Sequence, residues 1–184
     1  MLVIALVATI LEGFGDSARR LLSFDRAGLA SWEWWRLLTG HFVHLGGYHL
    51  GLNLLGLLAL QVLCPKPVRA REWVLRVIWL ALFVSIALYA AAPTVGNYVG
   101  FSGVLHGLFV LGLVPMAREG DRIALVCLLY LIGKIVWEQV MGAPVSDEHA
   151  IGGHVVTLAH LFGTLAALVY GFAFGTFRTG VKTQ

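Results

Sequence analysis

Residues 73–92 read WVLRVIWLALFVSIALYAAA, a run broken by one charge, Arg76, near its start. About twenty apolar residues coiled as an α-helix cross the roughly 30 Å hydrocarbon core of a bilayer. Working outward, further apolar runs cover 48–64, 102–116, 123–141 and 150–177, and a shorter one opens the chain at 1–11. Charged or Gly/Pro-rich breaks separate them. Of the 184 residues 59% are hydrophobic and only 12% charged, and the mean hydropathy is +0.83. A soluble domain is nearer half apolar and a quarter charged. A soluble enzyme, a disordered chain and a nucleic-acid module are therefore excluded, despite the net charge of +3. The expected fold class is an all-α polytopic membrane protein of six transmembrane helices, with 1–184 forming a single membrane domain.

The loop at 12–47 is the long exception. It mixes Glu12, Asp16, Arg19, Arg20, Asp25, Arg26, Glu33 and Arg36 with Trp32, Trp34 and Trp35. Such Trp-rich amphipathic segments lie at the membrane interface. Lys66, Arg69 and Arg71 follow the second run, Arg118 and Arg122 separate the fourth from the fifth, and Arg178 and Lys182 follow the sixth. The loops 93–101 and 142–149 carry no Lys or Arg. The positive-inside rule then places both termini in the cytoplasm, although the four Arg of the first loop run against that bias. The first run has no basic flank before it and no clear small-residue site after it, so no cleavable signal peptide is expected. Cys64 and Cys127 fall towards the cytoplasmic ends, where a disulfide is not expected.

Polar side chains inside a bilayer are costly and mark function by default. Here they are His49, Asn53 and Gln61 in the second run, Ser102 and His106 in the fourth, Lys134 and Glu138 in the fifth, and His160 and Thr164 in the sixth. Ser102 lies 16 residues before Arg118, His160 18 before Arg178, His49 17 before Lys66, and Glu138 16 after Arg122. At about 1.5 Å per residue all four sit roughly 24–27 Å above the cytoplasmic charges, on one level near the outer surface. Ala159, Gly163, Ala167, Gly171 and Gly175 recur every four residues, as do Gly103 and Gly107. Small-xxx-small faces of this kind let membrane helices approach closely, so a Ser102–His160 hydrogen bond is sterically feasible.

Gly100-Phe101-Ser102-Gly103 places a serine at a helix start, where free N–H groups can stabilise an oxyanion. His160 can serve it as general base. His49 and Asn53, four apart on one helix face, can donate to the same oxyanion. Lys134 and Glu138 read either as a neutralising i, i+4 pair or as groups that contact substrate. Seven histidines raise the alternative of a metal site. No H-E-x-x-H occurs, and no cysteine or carboxylate flanks His44 and His49, so neither metal nor cofactor is expected.

Trp35-Arg36, His44, His49 with Asn53, Gly100-Phe101-Ser102-Gly103 and Ala159-His160-Leu161-Phe162-Gly163 stand in an order that resembles the rhomboid intramembrane serine proteases over nearly the whole chain. The resemblance implies a six-helix rhomboid-like bundle whose long first loop lies half in the outer leaflet. It implies a Ser102–His160 dyad with no acidic third member, and an oxyanion site at His49, Asn53 and the Ser102 N–H. The fifth helix would border substrate entry. Trp35 and Arg36 read as loop anchors. The family's aromatic residue four after the nucleophile, usually Tyr, is here His106, which can stack on His160 or bond to it.

Within the family, Gly100-Phe101-Ser102-Gly103-Val104-Leu105-His106-Gly107 and Gly133-Lys134…Glu138-Gln139 are most similar to the rhombosortase subgroup of Gram-negative bacteria. That likeness implies an inner-membrane endopeptidase with its site open to the periplasm. Its partners would be the bilayer and transmembrane substrates with C-terminal Gly-Gly tails, and no nucleic acid. The alternative is a catalytically inactive rhomboid-like protein that binds transmembrane helices.

Overall fold

The computed structural model describes residues 1–177. The chain opens with α1 (Leu2–Gly13), followed by α2 (Gly15–Leu22), the two-residue strand β1 (Phe24–Asp25), α3 (Arg26–Ala30) and α4 (Arg36–Thr39). Then come α5 (Gly47–Leu63), α6 (Ala70–Ala91), strand β2 (Asn97–Tyr98), α7 (Ser102–Arg118), α8 (Arg122–Met141), α9 (Glu148–Ile151) and α10 (Thr157–Ala173). Helices α6 and α8 are long and apolar enough to cross a membrane. Helices α1, α5, α7 and α10 are apolar but shorter, the last three having 17 residues each. Seventeen residues rise about 25 Å, the lower end of what spanning takes.

Two element boundaries differ from the sequence reading. The last apolar run does not form one helix over 150–177. Gly152, at φ 90°, ends α9, and α10 starts only at Thr157. At the other end α10 stops at Ala173, and Gly175 turns the chain at φ 68°. The long first loop is not irregular but holds α2, β1, α3 and α4. Arg178 and Lys182, used in the topology argument, lie outside the described residues.

The core is built on the small-residue faces. A Cβ added at Gly163 would overlap the Gly103 carbonyl oxygen, one at Gly107 would come within 2.7 Å of Gly163 O, and one at Gly103 within 2.8 Å of Ala159 O. The backbones of α7 and α10 thus touch, with Val104, Leu108, Leu111, Ala166 and Ala167 buried around the seam. Without a hydrophobic drive between helices in lipid, such close van der Waals contact is what holds them together.

The first loop is tied to this bundle by polar bonds to backbone. Phe24 pairs with Tyr98 in the antiparallel β1–β2 ladder, and Gly100 N–H donates to Gly40 O at 3.1 Å. Arg26 closes the C-terminal end of α6: its guanidinium donates to the carbonyls of Leu88 (2.9 Å), Tyr89 (2.8 Å) and Ala92 (3.0 Å). These are orphan acceptors at the negative end of a helix, where a cation is favoured. Arg36, buried, donates to Ser23 O and Arg20 O and pairs with Glu33, so it anchors the loop on itself. His41, fully buried, donates through Nε2 to Ala81 O (3.0 Å) on α6 and lies 3.0 Å from Ser85 Oγ, fixing the loop to that helix.

Candidate active site

Ser102 is the first residue of α7, held there by the turn before it. Gly100 has φ 112°, a left-handed conformation open to glycine at no steric cost. A Cβ at Gly100 would also meet the His49 ring at 2.7 Å. Tyr98, buried on β2, donates its hydroxyl to Gly100 O at 2.6 Å and pins the same turn. Ser102 therefore sits where the first N–H groups of α7 have no intrahelical acceptor.

His160, three residues into α10, lies across the glycine seam. Its Nε2 is 2.9 Å from Ser102 Oγ. Its Nδ1 is 2.8 Å from Oε2 of Glu138, which is 1% exposed on α8. A carboxylate can only accept, so the hydrogen resides on Nδ1 and the lone pair on Nε2 faces the serine hydroxyl. The resemblance implied no acidic group beside His160, whereas a carboxylate lies in hydrogen-bond contact with its Nδ1. Glu138 comes from a helix packed against α10, at the level of the serine.

Lys134, one turn before Glu138, donates to its Oε1 at 2.5 Å. The ammonium also lies 3.1 Å from His106 Nε2 and 3.4 Å from His160 Nδ1. His106 donates from Nδ1 to Ser102 O at 2.7 Å, which leaves its Nε2 free to accept from Lys134. Its ring stacks on His160 with centroids 4.1 Å apart and planes 13° from parallel. His106, Glu138 and His160 also bring three ligand-type atoms within 4.8 Å of one another. Within that group the Lys134 ammonium bonds Glu138 Oε1 and His106 Nε2.

Lys134 and Glu138 thus form the neutralising pair. Both Glu138 oxygens are engaged inside the bundle, Oε1 by Lys134 and Oε2 by His160. Asn53 lies one turn after His49 on α5. Its Nδ2 donates to His49 O at 2.9 Å, and it does not line the cavity beside the serine. His49 does line that cavity. Leu45 N–H donates to His49 Nδ1 at 3.3 Å, which places the ring hydrogen on Nε2 as a free donor. The cavity holds about 200 Å³ and is bounded by Leu45, His49, Tyr98, Ser102, His154 and Val156. Tyr98 and His154 escaped the sequence reading. Tyr98 falls in the uncharged loop 93–101, and His154 carries no motif. A larger crevice of about 1060 Å³, bounded by Ile4, Leu60, Trp73, Val77 and Leu108, includes none of the site residues.

Fold and site together define a helical membrane protein with a serine–histidine hydrogen bond at a helix start, beside a small cavity. A family model for the rhomboid domain matches residues 31–177. A Bacillus subtilis (strain 168) protein named "Putative rhomboid protease YdcA" is 24% identical over 145 residues, covering 79% of this chain and 69% of that protein. The chain belongs to the rhomboid family.

Proposed function

We propose that the protein is an intramembrane serine endopeptidase. The observation that carries this is the 2.9 Å contact between Ser102 Oγ, which lines the small cavity, and the lone-pair nitrogen of His160. Ser102 Oγ attacks the scissile carbonyl carbon while its proton passes to His160 Nε2. The Ser102 N–H and His49 Nε2–H hold the oxyanion. His160 then gives the proton to the leaving amine, and the acyl-enzyme is hydrolysed by water whose proton returns through the same nitrogen.

Substrates are transmembrane proteins cut near the outer face of a six-span bundle, in the inner membrane of a Gram-negative cell. The small cavity supports a preference for small residues at the cut, as in the C-terminal Gly-Gly tails of exported proteins. The intact Ser102–His160 geometry favours an enzyme over an inactive helix-binding relative.

The test is fluorophosphonate labelling of the detergent-purified protein. Wild type labels, whereas Ser102→Ala and His160→Ala lose labelling and keep their thermal unfolding transition. Absence of wild-type labelling, or labelling retained in Ser102→Ala, overturns the reading.

A further inference from the structure

We propose that Glu138 and Lys134 complete the catalytic unit as positioning residues, making it a Ser102–His160–Glu138 relay with a resident cation rather than an unassisted dyad. This rests on the serine-protease reading above. A neutral imidazole has two tautomers, and only the one with its lone pair on Nε2 can accept the serine proton. Packing against His106 fixes the plane of the His160 ring but is indifferent to which nitrogen carries hydrogen. Glu138 Oε2, 2.8 Å from Nδ1, makes that choice. The same carboxylate faces the positive charge that appears on His160 as the proton arrives.

A lone carboxylate at 1% exposure would be costly, and a buried charge persists when paired and hydrogen-bonded. Lys134 supplies the pairing at 2.5 Å. Its second bond, to His106 Nε2, ties it to the ring stacked on His160, so cation, carboxylate and both imidazoles hold one another. Lys134 is also 3.4 Å from His160 Nδ1. With Glu138 present the two charges nearly cancel at His160. With Glu138 neutral the ammonium stands alone against the charge that catalysis must create. Loss of the carboxylate therefore harms the reaction twice, by freeing the tautomer and by stranding a like charge.

The experiment measures the rate of Ser102 labelling by a fluorophosphonate in full-length wild type, Glu138→Gln, Glu138→Asp, Lys134→Met and the Lys134→Met/Glu138→Gln double variant. Glu138→Gln should label slower by about 10²- to 10⁴-fold, the range expected when a triad acid is replaced by its amide. Glu138→Asp should recover at least about tenfold of that loss, because a carboxylate matters more than chain length. A purely structural role predicts the reverse order, since glutamine matches glutamate in shape and aspartate is a methylene short. The double variant should label faster than Glu138→Gln alone, because the stranded ammonium is gone, yet slower than wild type. If Glu138→Gln does not fold, the double variant carries the comparison with Glu138→Asp.

The inference is overturned if wild type labels and Glu138→Gln or the double variant labels within about threefold of it, or if glutamine outperforms aspartate. No labelling of wild type removes the serine-protease reading itself, and this inference with it.

Discussion

Gly100 does two jobs that no other residue type can do together. Its φ of 112° lets the chain turn sharply into α7, and its missing side chain leaves room for the His49 ring. Gly100→Ala therefore strains the backbone, at a cost of about 1–3 kcal/mol, and pushes His49 from the cavity wall. Serine labelling should fall by more than stability does, because Ser102 and His49, the proposed oxyanion donor, move together. Equal loss of both, read from labelling rate against thermal midpoint, would show that Gly100 serves the fold alone. At this scale the sequence was informative where a residue carries its own context. Ser102 between glycines and His160 in a small-residue helix were legible for that reason. The contact of Glu138 with His160 was not legible. The i, i+4 partner Lys134 already accounts for Glu138 on one helix, and only the packing of α8 against α10 shows that the carboxylate's second oxygen reaches His160. Asn53 shares a face with His49, as its spacing says, and one of its two amide N–H donors bonds the His49 carbonyl.

Among the helices, the α7–α10 pair sets the Ser102–His160 distance on which the proposed chemistry depends. The serine and the histidine sit on different elements, 58 residues apart in sequence, so the glycine seam is in effect part of the site. Gly163→Ala would drive a methyl group into the Gly103 carbonyl, and the helices must separate to admit it. Overpacking of this kind costs about 1–3 kcal/mol. The loss of labelling should be larger than from a comparable substitution off the seam, such as Gly133→Ala on α8, where a Cβ meets nothing within 4 Å. Equal labelling in the two variants would mean that the dyad tolerates helix separation. The small-residue period made this seam legible in sequence, because every fourth position is a direct statement of helical contact. The ends of α10 were not legible, since an apolar run continues across Gly152 and Gly175 and hydropathy does not register a left-handed turn. Nor was the capping of α6 by Arg26, whose acceptors lie more than sixty residues further along the chain.

Taken as a whole, the molecule is a helical bundle with a long loop bolted across it, and the bolts are side chains from the loop bonded to helix backbone. Composition made the membrane class legible, because hydropathy is additive along the chain. The folded loop was not legible, because its order comes from bonds between distant segments. His41 is one such bolt, outside the spanning helices and fully buried. Burial pushes its pKa down from 6.5 to about 4. His44 beside it, buried and facing His49, is pushed to about 3. A depressed histidine is neutral in the folded state and takes up its proton more readily when unfolded. Stability from His41 is therefore fully present above pH 6.5 and is lost as the pH falls from 6.5 towards 4. At pH 4.5 that loss amounts to about 2–3 kcal/mol from this residue alone. Thermal unfolding in detergent at pH 7.5 and 4.5 should show a marked drop in midpoint for wild type. In His41→Gln, whose amide can still donate to Ala81 O but does not titrate, the drop should be shallower. Parallel pH dependences in the two proteins would place the acid sensitivity elsewhere in the bundle and leave the loop held by Arg26 and the β1–β2 ladder.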